Sequence, residues 1–263
     1  NKDHPWSNKS EQEAEKIFAK SYPAISKHFE QFRNQLIARS DQGKFFWELR
    51  SCKYWQEFVL PKIIYPNICK RNEFAWDESG YYTNQKAFII PCNDKVLLAI
   101  LNSSVVTFLF DKLLAKLQGD FYEPSSIFMK DFPIPTTTEP EQKAIETLVE
   151  YVLHLTAALK DIPSHGEKLM AAADDKLMLS YFEQIVDAVV MELYLPEELH
   201  AGEKYFMRHL LQENLPSLDQ LKGDKIEALR GIFRRLFDRE HPIRVNIYFL
   251  DSLEVVRIVG GKA

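Results

Sequence analysis

Side chains that could contact a nucleic acid are concentrated between positions 44 and 86 of the sequence. Lysine and arginine bind phosphate groups, whereas amide and hydroxyl side chains form hydrogen bonds with the edges of bases. We therefore predict that Lys70, Arg71 and Lys86 contact phosphate, and that Asn84 or Gln85 contacts a base edge, in duplex DNA. The full candidate set is Lys44, Arg50, Lys53, Lys62, Lys70, Arg71, Tyr82, Asn84, Gln85 and Lys86.

Several of these side chains also have a purely structural interpretation. Lys62 would extend along a strand with only its ammonium at the surface. Tyr81 and Tyr82 are adjacent, so on a strand one of them would enter the core. Asn84 would cap a turn, and Asn102 would complete a junction between two helices. The two interpretations remain open for Lys62 and Asn84, whereas the structural one is favoured for Asn102.

The charge distribution favours the first half of the chain for phosphate contact. The whole chain has a formal net charge of -5. Residues 1–130 contain 18 Lys and Arg against 15 Asp and Glu, whereas residues 131–263 contain 15 against 23. The window from Arg33 to Arg71 has 8 basic and 3 acidic residues. A basic surface beside an acidic half is compatible with DNA contact by the first half only.

Short aromatic and β-branched segments, separated by Asn, Asp and Gly, are expected to position the candidate residues. They predict strands near 45–49, 62–65, 73–76 and 81–88. Asp77–Gly80 is expected to be a hairpin turn, since glycine tolerates a positive φ. Residues 1–20 are polar and are expected at the surface, and Pro23 is expected to open a helix.

Helical patterns follow these strands. Asp94, and either Ser103 or Ser104, are expected to cap two helices. Further on, apolar residues at steps of three and four predict a helix that packs against a neighbour. Those residues are Ile145, Leu148, Val152, Leu155, Leu159 and Ile162. Helices are also expected near 172–195, 198–212 and 218–237. Alternating apolar residues at 245–249 and 256–258 predict a terminal β-hairpin.

Together these patterns predict an α+β fold. We expect a small antiparallel sheet with buried helices, then a mostly helical region and a terminal β-hairpin. Residues 1–136 would form a DNA target-recognition domain with an N-terminal helix. Residues 137–263 would form a helical C-terminal region of spacer helix, helical bundle and hairpin, because threonines and prolines near 136–140 indicate a boundary.

Sequence motifs for catalysis or metal binding are absent. There is no His-Glu-x-x-His pair, no glycine-rich nucleotide loop and no Gly-x-Ser-x-Gly elbow. The three cysteines, Cys52, Cys69 and Cys92, are expected to be reduced thiols. The segment 141–143 has the Glu-x-Lys spacing of a nuclease site, but no Pro-Asp strand precedes it, so we interpret it as a helix start. The chain itself is therefore predicted to be non-catalytic.

The hydropathy pattern predicts neither membrane insertion nor secretion. The longest apolar runs, Val96–Leu101 and Val105–Phe110, are far shorter than the ~20 residues that a membrane span requires. No charged-then-apolar leader opens the sequence. A cytoplasmic location is therefore expected.

A series of motifs between Trp47 and Pro135 indicates a family. In order, they are Trp-x-Leu-Arg, Pro-Lys-Ile-Ile-Tyr, Phe-Ala-x-Asp, Gly-Tyr-Tyr-Thr-Asn, Leu-Leu-Ala-Ile-Leu-Asn-Ser and Phe-Pro-Ile-Pro. This order and spacing resembles the TaqI-like C-terminal specificity domain. That domain is the target-recognition half of N6-adenine DNA methyltransferases and of fused type II restriction–modification enzymes. The resemblance covers roughly residues 20–160.

The resemblance implies a parent enzyme that methylates adenine, cleaves DNA, or does both. Its partners would be double-stranded DNA and a methyltransferase or nuclease domain, upstream in the parent chain or in trans. S-adenosylmethionine, with Mg²⁺ for cleavage, would serve the parent enzyme, and no cofactor is expected in this fragment. The family's catalytic half has a cofactor loop and an Asn-Pro-Pro-Tyr type motif, and this sequence has neither.

Two other functions remain open on the sequence alone. The acidic helical half and its apolar seam would suit a protein-interaction or scaffolding module that docks a partner. A nuclease that uses Glu141 is the less favoured alternative.

Overall fold

The computed structural model describes residues 4–160 and 172–261, and the chain divides into two compact units, Asn1–Phe58 and Val59–Ala263. Within the described residues the strands form a three-stranded and a two-stranded antiparallel sheet, and the other elements are helices. The predicted α+β fold class is therefore confirmed. A short 3-10 helix, Trp55–Val59, contains the boundary between the units.

The described part of the first unit contains three helices, α1 (Glu11–Ser21), α2 (Pro23–Glu30) and α3 (Arg33–Ala38). Its core is largely aromatic and consists of Trp6, Ala14, Phe18, Phe45, Phe46 and Trp47. The expectation that residues 1–20 lie at the surface is wrong in part, because Ala14 and Phe18 lie one turn apart on α1 and face this core. The predicted strand at 45–49 is also wrong, since this segment turns and places its rings in the core.

The second unit begins with an antiparallel sheet of three strands in the order β2-β1-β3. These are β1 (Lys62–Pro66), β2 (Ala75–Asp77) and β3 (Ala87–Pro91). The central residue Ile63 pairs with Trp76 on β2 and with Ile90 on β3. The expected hairpin at Asp77–Gly80 does not form, because β2 and β3 both pair with β1 and lie at opposite edges. Gly80 does have the positive φ expected of it, 78°.

Two buried helices follow the sheet, α4 (Lys95–Leu101) and α5 (Ser104–Leu113). The Asp94 carboxylate accepts a hydrogen bond from Leu97 N–H, and the Ser103 hydroxyl accepts one from Val106 N–H. Both predicted caps are thus confirmed. Among the described residues no single helix has the length and hydropathy to cross a membrane; α4 and α5 together meet that test, bent by 59°.

A short hairpin and a series of helices complete the second unit. The hairpin strands are β4 (Lys116–Leu117) and β5 (Phe121–Tyr122). The helices are α6 (Ser126–Met129), α7 (Glu139–Leu159), α8 (Ala173–Tyr194), α9 (Pro196–Ala201), α10 (Phe206–Glu213), α11 (Lys225–Leu236), α12 (Pro242–Tyr248) and α13 (Glu254–Val259). The predicted seam on α7 buries Ile145, Leu148 and Leu155 against neighbouring helices that include α4 and α8. Its last predicted member, Ile162, lies outside the described residues.

The predicted terminal β-hairpin is wrong, because the segment forms α12 and α13. Pro242 occupies the first turn of α12, and His241 Nδ1 accepts a hydrogen bond from Ile243 N–H. These start signals outweigh the alternation of apolar residues. Along α12 the buried residues Ile243 and Asn246 are three apart, as a helix requires.

One hydrophobic core runs through the second unit, from Ile63 on β1 to Val256 on α13. Phe110 on α5 and Phe182 on α8 are both members and are almost fully buried. Residues on both sides of position 136 therefore share this core. The sheet that bears the candidate loops and the helices of the second half thus contribute to the same core.

Candidate nucleic-acid interface

One end of the three-stranded sheet brings together the loop that leaves β1 and the loop that enters β3. The last pair of this ladder is Pro66 with Ala87. Immediately beyond it, Asn67 N–H donates to the Lys86 carbonyl at 3.0 Å, and Asn67 Nδ2 donates to the Gln85 carbonyl at 3.2 Å. Asn67 is therefore fixed beside the end of segment 81–86, at Gln85 and Lys86.

The β4–β5 hairpin is hydrogen-bonded to the same segment, 67–71. Cys69 N–H donates to the Tyr122 carbonyl at 3.1 Å, and Tyr122 N–H donates back to the Cys69 carbonyl at 2.7 Å. We call the three segments 67–71, 81–86 and 116–122 the basic edge. Its charged residues are four exposed cations and one carboxylate, namely Lys70, Arg71, Lys86, Lys116 and Asp120.

The predicted phosphate contacts Lys70, Arg71 and Lys86 all lie on this edge and are exposed. Lys70 Nζ lies 4.9 Å from the centroid of the Phe121 ring, so the hairpin positions this cation. Arg71 Nε lies 3.0 Å from Glu73 Oε1. Because both partners of that ion pair are largely solvent-exposed, its strength is modest, and a phosphate could replace the carboxylate.

The segment 81–86 is a loop, with β3 starting only at Ala87. Tyr81 and Tyr82 are 69% and 63% exposed, so the expectation that one of them enters the core is wrong. Without strand geometry, neighbouring side chains need not alternate between faces. The Asn84 side-chain oxygen accepts a hydrogen bond from Lys86 N–H at 2.9 Å, so Asn84 caps a turn, as its structural interpretation predicts. Gln85 is exposed beside it.

Lys62 departs from the expected set because it is fully buried. Its Nζ lies 2.5 Å from Asp77 Oδ2, directly opposite on β2. Burial by itself would raise the pKa of Asp77, but hydrogen bonds from Lys62 and from the N–H groups of Ser79 and Tyr81 outweigh that and lower it. Lys62 is therefore a core residue in this structure, with no exposed surface to offer a ligand.

The candidates Lys44, Arg50 and Lys53 belong to the first unit, and all three are exposed there. Lys44 Nζ donates to the Lys9 carbonyl at 3.3 Å and lies 5.0 Å from the Phe45 ring centroid. Arg50 Nε is 3.9 Å from Asp41 Oδ1. Contact between these three residues and DNA stays a prediction.

The structure adds Lys116, on the basic edge, and Lys112, on α5 just outside it, to the candidate residues predicted from the sequence. Both ammonium groups face Asp111, at 3.5 Å for Lys112 and 2.6 Å for Lys116. The hydrogen bond from Lys116 is the main reason that the pKa of Asp111 is lowered. The available signal was Gly119-Asp120, because glycine followed by aspartate is typical of a tight hairpin turn.

Asn102 has the structural role that the sequence favoured. Its Oδ1 accepts a hydrogen bond from Phe74 N–H at 3.1 Å, and its Nδ2 donates to the Phe74 carbonyl at 2.9 Å. Nδ2 also lies 3.2 Å from the Leu98 carbonyl on α4. The side chain thus joins the α4–α5 junction to the backbone just before β2.

Comparisons with known proteins agree with the motif order. Residues 11–134 match the family model of the TaqI-like C-terminal specificity domain. The type II methyltransferase M.BstVI of Geobacillus stearothermophilus is 23% identical over 154 residues, which cover 54% of this chain and 27% of that protein. The resemblance to the specificity domain is therefore confirmed, and the chain spans only about a quarter of the length of this relative.

Proposed function

We propose that this chain recognises a specific duplex DNA sequence for a type II restriction–modification enzyme. The parent would be an adenine-N6 DNA methyltransferase, a restriction endonuclease or an enzyme with both activities. Its catalytic domain would lie upstream in the parent chain or act in trans. A cytoplasmic location is part of the proposal, since genomic DNA is the substrate.

The basic edge is the observation on which this proposal rests. Hydrogen bonds join three loops from different parts of the sequence into one surface, on which Lys70, Arg71, Lys86 and Lys116 are exposed. Such a surface can bind phosphates through its cations, and Gln85 and Tyr82 also expose side chains that can contact bases. The match to a specificity domain and the likeness to a type II methyltransferase support the same function.

The described residues do not fit S-adenosylmethionine. The sheet is antiparallel, and the β3–α4 connection, residues 92–94, contains no glycine that could approach a nucleoside closely. Nor do residues 4–160 and 172–261 contain a group of three His, Cys, Asp or Glu side chains that could hold a metal ion. We therefore assign S-adenosylmethionine, and Mg²⁺ if the parent cleaves DNA, to the catalytic domain.

Selection of the full chain against a random duplex pool, followed by affinity measurements over a range of salt, tests the proposal. We expect one enriched sequence and a log–log salt slope of about -3 to -4 if the four cations each release a counterion. The double charge reversal Lys70→Glu and Arg71→Glu should weaken binding at least tenfold. The matched control, Lys143→Glu with Lys222→Glu, reverses two exposed charges outside the basic edge and should change affinity far less.

If the double charge reversal at Lys70 and Arg71 leaves the affinity for DNA unchanged, the basic edge is not the binding surface. Absence of any enriched sequence would contradict sequence-specific recognition altogether. Thermal unfolding of each variant ensures that a loss of binding is not a loss of folding.

A groove of about 1020 Å³ in the second unit favours a second candidate, a protein-interaction module. Trp76 of β2, Val152 and Leu153 of α7, and Val186 of α8 supply apolar surface to its lining. Light scattering of the full chain separates the two functions. A chain that binds no duplex DNA but self-associates, and becomes monomeric on Leu153→Glu, would establish the interaction module in place of DNA recognition.

A further inference from the structure

The β4–β5 hairpin projects an exposed tip from the basic edge. Lys116 pairs with Tyr122 and Leu117 with Phe121, which leaves Gln118, Gly119 and Asp120 as the connecting loop. Gly119 and Asp120 have φ angles of 83° and 60°, so two successive residues adopt the left-handed conformation and reverse the chain tightly. All three loop residues are exposed.

The base of the hairpin is attached to the core of the second unit. Tyr122 forms two backbone hydrogen bonds with Cys69, which is buried. The Tyr122 ring also contacts the buried Phe110 ring edge-on, with 5.8 Å between centroids. An exposed loop on a rigid base can enter a groove with little loss of conformational entropy.

Two cations flank the hairpin, and one of them, Lys116, also lies 2.6 Å from the Asp111 carboxylate. Lys70 Nζ lies over the Phe121 ring on one hairpin strand, and Lys116 Nζ lies 5.7 Å from the Tyr122 ring centroid. The loop between these cations has one uncharged hydrogen-bonding side chain, Gln118. Gly119 has no side chain, and phosphates would repel the Asp120 carboxylate.

We infer that the hairpin enters the major groove of the bound duplex and that the Gln118 amide contacts the edge of an adenine. The inference rests on the proposed function and names a residue that determines its specificity. The major groove accommodates a two-stranded ribbon, and a glutamine amide pairs its donor and acceptor with N7 and the N6 amino group of adenine.

The test compares the full-length chain with Gln118→Ala in selections from the same random duplex pool. We expect the wild-type chain to require adenine at one position of its enriched sequence. In Gln118→Ala that preference should fall about tenfold, because a bidentate contact to one base is lost. Affinity for unrelated duplex should stay unchanged, since no charge is altered. The matched control is Gln142→Ala, an exposed glutamine on α7 outside the basic edge.

The outcomes separate this inference from the proposed function. An enriched sequence that is identical in wild type and Gln118→Ala would overturn the role of Gln118 and leave DNA recognition intact. An equal loss of affinity for all sequences would assign the hairpin to backbone contact and also overturn it. A wild-type chain that selects no sequence would overturn the proposed function, and this inference with it.

Discussion

Lys62 and Asp77 form an ion pair that is closed off from solvent, although Lys62 begins the strand, β1, that leads into the basic edge. The two residues are register partners on β1 and β2. Asp77 also accepts hydrogen bonds from the N–H groups of Ser79 and Tyr81, each at 3.0 Å. The pair therefore positions the start of loop 81–86.

Replacing Lys62 with methionine should destabilise the protein by about 3–5 kcal/mol, because the Asp77 carboxylate would remain buried without its cation. The free energies of unfolding of the wild type and Lys62→Met, measured in urea, give this difference. The double variant Lys62→Met with Asp77→Asn should recover much of the loss, since no buried charge remains and the asparagine oxygen still accepts a hydrogen bond. A double variant no more stable than Lys62→Met would contradict the assignment.

The register that buries Lys62 could not be predicted from the sequence. Pro-Lys-Ile-Ile-Tyr indicates a strand, but only the pairing of β1 with β2 places Asp77 opposite Lys62. Helix starts could be predicted from the sequence, because the capping residues Asp94 and Ser103 depend only on neighbouring residues and lie where they are expected. The alternation of apolar residues at 245–249 predicted a strand, but residues 242–248 form the helix α12, so a short alternating run does not distinguish a strand from a helix.

The candidate site was predictable only as a list of residues. Lys70, Arg71 and Lys86 are exposed, so their contact with phosphate stays a prediction, and the contribution of Lys116 does not appear in the sequence pattern. Lys116 joins the others because Tyr122 pairs with Cys69, a contact between segments distant in sequence. Such long-range pairing depends on how α4 and α5 turn the chain back to the sheet.

Asn102→Ala should destabilise the second unit by about 1–3 kcal/mol, because the N–H and carbonyl of Phe74 would lose their partner in a partly buried place. Asn102→Asp should have an intermediate effect, since it keeps an acceptor but loses the donor. Urea unfolding compares the three proteins. Asn84→Ala, at an exposed turn, is the control and should cost less.

Acid titration should distinguish Asp187 on α8 from an ordinary carboxylate. Burial raises the pKa of Asp187, although Ser104 N–H donates to its Oδ1 at 2.7 Å. A folded-state pKa above the unfolded value means that the ionised group opposes folding at neutral pH, and that protonation removes this cost as the pH falls.

Asp187→Asn should therefore be more stable than the wild type at pH 7, because the amide oxygen still accepts from Ser104 N–H and the partly buried charge is removed. Its advantage should shrink as the pH falls through the raised pKa of Asp187. Unfolding free energies of both proteins between pH 7 and pH 4 measure this, with the exposed Asp219→Asn as control. A stability advantage of Asp187→Asn that grows as the pH falls would contradict a raised pKa of Asp187.

Single neutralisations on the basic edge should change the salt dependence of DNA binding one phosphate at a time. Lys86→Ala and Lys116→Ala each remove one exposed cation, so each should make the log–log salt slope less negative by about 0.9. The relative preference among sequences should persist, because phosphate contacts carry no base information. Lys143→Ala is the matched control: it removes one exposed cation from α7, outside the basic edge, so its slope should equal that of the wild type. A wild-type slope in Lys116→Ala would exclude the hairpin from the phosphate-binding surface, whereas an equal change in Lys143→Ala would mean that the effect is not specific to the basic edge.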